Sequence, residues 1–253
     1  MKGRPESKSY KGGFPETRLT AIAAISSSDQ TIRAQGLDTI AAAYWAPIYK
    51  YIRLKWDRPA DTAEDLTQAF FAAAIEKNFF EQYDPAKSKF RTFLRVCLDG
   101  FIANQDKSAG RLKRGGGLEI QSFDFQAAEV QLNDQWSLAQ SSMDDFFEKE
   151  WVRGLFGLAV QSLQNHLTRS GKEIQFQLFQ RYALEEHDDE ERITYADLAS
   201  EFSIPVTAVT NYLAAARRDF KKILLETLRK LTVSDDEFRQ EARALFGAHF
   251  KDP

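Results

Sequence analysis

Residues 61–114, DTAEDLTQAFFAAAIEKNFFEQYDPAKSKFRTFLRVCLDGFIANQDKSAGRLKR, constrain the fold more than any other stretch. Phe90, Phe93, Leu94, Cys97, Leu98, Phe101 and Ile102 recur at steps of three and four, the spacing that aligns one apolar face of an α-helix. That face requires a core. Beyond it Lys107, Arg111, Lys113 and Arg114 fall within eight residues that contain no carboxylate. Lys107, Arg111 and Arg114 stand at i, i+4 and i+7, so a continuing helix gathers them into one cationic stripe. Such a stripe suits a polyanion partner, and equally a solvated helix end whose cations complement the macrodipole.

The rest of the chain reads as helical. Residues 1–16, with four bases, three glycines and two prolines, read as a flexible arm. Thr17 to Ile25 is expected as a short helix. Leu37, Ile40, Ala41, Tyr44, Trp45, Ile48 and Ile52 mark a long amphipathic one, which Pro47 should kink or split. Asp61, with Glu64 three residues on, is expected to cap the next helix, with Leu66, Phe70 and Ala73 inward. Its opposite side shows Glu64, Asp65, Gln68 and Phe71. Residues 115–150 read as a linker, because eight carboxylates and one lysine lie between Leu118 and Glu150.

A second module is expected over residues 151–231. Trp151, Leu155, Leu158, Ala159 and Leu163 mark one helix, and Ile174, Leu178 and Tyr182 the next, with a break at Ser170 and Gly171. Thr194 caps a short helix, YADLASEF, followed by the turn SIP and a long helix from Val206. A short helix, tight turn and longer helix form a helix-turn-helix, whose second helix enters the major groove. Thr207, Thr210, Asn211 and Tyr212 are the candidate base readers, and Arg217, Arg218, Lys221 and Lys222 the phosphate contacts. Residues 232–253 form a terminal helical extension with Phe238, Ala242, Leu245 and Phe246 on one side. The expected fold is therefore all-α: two helical domains joined by an acidic linker.

Taken in order, the acidic helix DTAEDLTQAFF, the Asp-Pro connection YDPAKSKF, the FRTFL helix and its basic end resemble the promoter-melting domain of extracytoplasmic-function (ECF) sigma factors. FPETR at Phe14 to Arg18 resembles the opening of one subgroup, and the second module resembles the minus-35-binding domain of the same family. Ser203 stands where that turn usually has glycine. Thr210, Tyr212, Ala214 and Ala215 stand where Lys or Arg is frequent, and Gly100 where many members have Asn. The resemblance implies that Glu64, Asp65, Gln68 and Phe71 dock on the clamp helices of the largest subunit of core RNA polymerase. It implies that Asn104, Lys107, Arg111, Lys113 and Arg114 meet the opened minus-10 strand of promoter DNA. It implies that the linker threads the polymerase cleft, and it leaves room for an anti-sigma factor or other recruiting partner. The function it implies is transcription initiation.

Composition narrows the alternatives. At a net charge of −3, DNA contact must come from local patches. The single Cys97 forbids an internal disulfide and a multi-cysteine metal site. No apolar run approaches the ~20 residues needed to cross a bilayer, and no signal-peptide core opens the chain, so no membrane partner and a cytoplasmic location are expected. No Walker loop, GxSxG elbow, HExxH or dinucleotide fingerprint occurs. No catalytic residue, metal site or cofactor is expected. Two other readings stay open: a helix-turn-helix regulator of duplex DNA that works without polymerase, and a polymerase-binding adaptor without promoter activity.

Overall fold

The computed structural model describes residues 20–107, 123–135, 142–185 and 193–247. Every regular element among them is helical. They are α1 Ala21–Ile25, α2 Gln30–Lys55, α3 Ala60–Glu76, a 3₁₀ turn Phe79–Gln82, α4 Phe90–Lys107, α5 Phe125–Gln135, α6 Met143–Arg169, α7 Glu173–Ala183, α8 Tyr195–Glu201, α9 Val206–Lys230 and α10 Asp235–Phe246. The chain is all-α, as its periodicity predicts.

Several boundaries differ from the sequence reading. The helix α2 passes through Pro47 without interruption, its Asp29 side chain capping the amides of Thr31 and Ile32. Burial of Ile40, Tyr44, Ile48 and Ile52 offsets the one hydrogen bond that proline removes. Pro59, not Asp61, occupies the N-cap of α3, and the Asp61 carboxylate accepts from the amide of Thr62 inside the first turn. Within residues 115–150, the expected linker contributes α5 and the first two turns of α6. The expected boundary at Trp151 thus falls inside a helix that Ser142 caps by accepting from the amide of Asp145.

One buried cluster runs through α1 to α5, the first half of α6, the second half of α9, and α10. Tyr44 of α2 stacks on Trp151 of α6 at 6.4 Å between ring centroids, and meets Phe90 of α4 edge-on at 5.7 Å. Gly36 lets α1 lie close on α2, since a Cβ there would stand 2.7 Å from the Ala21 carbonyl oxygen. A smaller cluster, Leu178, Leu198, Ala199, Val209 and Leu213, joins α7, α8 and the first half of α9. At 25 residues, α9 is ~37 Å long and belongs to both cores.

Candidate nucleic-acid and partner-binding surfaces

The turn between α8 and α9 is built by its hydrogen bonds. Ser203 donates its amide to the Ser200 carbonyl, and Ile204 to that of Ala199, the pair of bonds that closes a helix in a Schellman motif. The motif puts Ser203 at φ 53°, a left-handed conformation that glycine adopts without strain. It also turns Ile204 back onto the small cluster. At the other end of α8, Thr194 caps the helix, as the sequence predicts, and forms with Asp197 a reciprocal capping box whose hydrogen bonds hold the Asp197 carboxyl below its usual range. Pro205 then fixes the backbone at the N-cap of α9.

This arrangement leaves one side of α9 to solvent. Thr207, Thr210, Asn211, Arg217, Arg218, Lys221 and Lys222 are all exposed. The Arg217 guanidinium lies 5.1 Å from the centre of the Tyr182 ring, which holds it toward α7. Tyr212 differs from its companions, because it is half-buried and packs on the Leu178–Val209–Leu213 cluster. An α9 side chain one position after Asn211 points toward α7 and α8, so Tyr212 also supports the small cluster.

On α3, Asp65 and Gln68 are exposed and Glu64 is half-buried. Phe71 is only 3% exposed, with Phe70 at 5.8 Å and Phe123 at 6.0 Å between ring centroids. The sequence placed it on the open side. Phe123, arriving from the stretch expected to be a linker, covers it. As folded here, Phe71 is not available as a docking anchor.

At the end of α4, Asn104 and Lys107 are exposed, while Arg111, Lys113 and Arg114 lie outside the described residues. The last turns of α4 are tied to α2 and its exit. Asp106 accepts a two-pronged bond from Arg58 at 2.5 and 2.7 Å, and Asp99 accepts from Lys55 at 2.8 Å and Trp56 at 3.2 Å. These contacts fix the direction in which the helix delivers Lys107.

The acidic stretch holds a surprise. Among the described residues, four carboxylates of this stretch are paired within the chain: Glu129 with Arg53 at 2.5 Å, Asp144 with Arg95 at 3.0 Å, Glu148 with Arg91, and Glu150 with Lys50 at 2.5 Å. Lys50 and Glu150 are 1% and 3% exposed. Burial lowers the pKa of Lys50, and the hydrogen bond and charge of Glu150 oppose that shift. Arg91, 5% exposed, also meets Glu241 of α10 at 2.8 Å and stands 4.5 Å above the Trp151 ring. The sequence carried one sign of this: Ser142 followed by Asp144 and Asp145 is a helix-start pattern. Counting carboxylates as solvated charge conceals it.

Cys97 is half-buried on α4, and burial pushes its thiol up to about 11, so it acts as a packing group. Among the described residues no group of three or more His, Cys, Asp or Glu is placed to hold a metal ion, and no helix is long and apolar enough to cross a membrane. No protein-family model, no curated protein and no solved structure matches the chain.

Proposed function

We propose that this chain is a transcription initiation factor of the sigma type, which docks on core RNA polymerase and brings it to promoter DNA. The observation that carries the proposal is the short helix, Schellman turn and long helix over residues 195–230, with Thr207, Thr210 and Asn211 exposed ahead of Arg217, Arg218, Lys221 and Lys222. Polar side chains near the start of such a helix suit base edges in a major groove, and the cations that follow suit flanking phosphates. In this reading α8 and α9 act as a helix-turn-helix on the minus-35 element. The exposed Asp65 and Gln68 and the half-buried Glu64 dock on the polymerase clamp, and α4 directs Asn104 and Lys107 toward the minus-10 strand. Opening that strand costs unstacking, which cationic and stacking contacts to single-stranded DNA offset.

A second reading, a duplex-only regulator, is favoured by the shared core. Elements 25 base pairs apart are separated by about 85 Å of duplex, whereas a folded chain of this length has a radius of gyration of ~18 Å. One such body reaches both only if the contacts of α6 and α10 with α2 and α4 part. Reversing Glu64 and Asp65 to Lys separates the two readings. A sigma-type factor loses core-polymerase binding at unchanged helical content, whereas a duplex-only regulator keeps its DNA affinity and shows no core binding in either form.

A further inference from the structure

Glu64, Gln68 and Phe71 stand at i, i+4 and i+7, so they form one stripe along α3. The Phe71 end of that stripe meets the segment 123–135. At the Phe71 end, Phe123 lies 6.0 Å from the Phe71 ring and stacks on Trp45 at 5.0 Å and 10°. Behind it, Tyr49 of α2 donates to Glu129 of α5 at 2.6 Å.

The apolar hold on this segment is mainly to α2, where Phe125 packs on Trp45 and Tyr49 at 5.4 and 5.0 Å between ring centroids. Ala128 and Leu132 are its fully buried side chains among the residues whose burial is described. Its polar ties run to α2: Glu129 to Arg53 at 2.5 Å and to Tyr49, and Gln131 to Lys50 at 2.7 Å. Toward α6 it is not packed flush. A cleft of about 280 Å³ lies there, with Ala127 and Ala128 on one wall and Gly154, Gly157 and Leu158 on another. A helix tied at one edge and open at the other is a removable cover, because local opening takes the elements with the fewest buried apolar contacts.

We propose that Phe123, held in place by α5 on α2, forms an autoinhibitory strap over the Phe71 end of the partner-docking face of α3, so that full docking displaces Phe123 from between Trp45 and Phe71. This rests on the polymerase-docking reading above. The partner that fits is a basic helical surface with one apolar anchor: its cations meet Glu64 and Asp65, which stay accessible in the closed state, and its anchor takes the place of Phe123. Glu129 and Arg53 set the balance, since their charge-assisted bond is the strongest polar tie that the strap makes.

The test measures binding of the full chain to purified core RNA polymerase for wild type, Phe123→Ala and Glu129→Gln, with amide exchange followed over residues 125–135 and over α2. The second variant keeps the size of the side chain and guards against a folding defect in the first. Faster exchange in α5, unchanged protection of α2 and about tenfold tighter binding are expected if the strap lies closed about nine-tenths of the time. Faster exchange with equal or weaker binding overturns the strap and leaves the docking reading standing. Failure of wild type and both variants to bind core, although α5 has opened, overturns the docking reading and the strap with it.

Discussion

Lys50 and Glu150 form an ion pair so buried that the partners depend on each other. Removing one charge of such a pair leaves the other unsolvated, at a cost of about 3–5 kcal/mol, while replacing both with apolar groups is often neutral. Glu150→Ala should lower unfolding stability by that amount, and Lys50→Met added to Glu150→Leu should restore most of it. Denaturant unfolding checks this, and additive losses in the double variant would show that the pair is not coupled. Glu129 behaves differently, because it lies near the surface and its carboxyl is held below the ordinary value of 4.5, chiefly by the Arg53 hydrogen bond. A depressed carboxyl contributes stability above its unfolded value and loses it as pH falls through the folded one. Acidification below pH 4.5 should therefore release α5, seen as faster amide exchange over 125–135 relative to intrinsic rates while α2 stays protected. Equal loss of protection in both helices would mean that α5 is integral to the core.

At the scale of elements, α9 has two jobs along one axis. Its first half packs on α7 and α8 through Val209 and Leu213, and its second half enters the larger core through Leu224, Leu225 and Leu228. The outward side chains then divide by role. Asn211→Ala should relax preference at one or two base positions, by about 1–3 kcal/mol, whereas Arg217→Ala should weaken all sequences alike and reduce the salt dependence. Selection from a randomised duplex at two salt concentrations checks both, and unchanged profiles would remove α9 as a reader. Most helices were legible, since the faces of α2, α4, α6 and α9 follow from residue spacing, and Thr194 and Gly171 mark ends correctly, but α5 and the start of α6 lay in the stretch read as a linker. The status of Phe71 was not. Periodicity tells which side of a helix is apolar but not which distant segment lies on it, and Phe123 comes from 52 residues on. Nor were the buried ion pairs legible, because Arg91 and Lys50 have the same side chains as surface residues and only their partners, Glu148, Glu241 and Glu150, reveal their place.

The molecule as a whole joins what the sequence divides. The aromatic core of α2 to α4 continues through Trp151 into α6, and Arg91 ties α4 to both α6 and α10, so the surface proposed for polymerase and the surface proposed for duplex DNA share one body in this structure. The proposed factor docks on core polymerase, reads duplex DNA and opens a strand. Run-off transcription with purified core polymerase on a library of random promoters, in the presence and absence of this chain, tests that claim most directly. The account predicts new transcripts from discrete sites that share upstream sequence near both minus 10 and minus 35. A start-site profile identical to that of core polymerase alone, from a chain that still selects duplex sequences by itself, would contradict it.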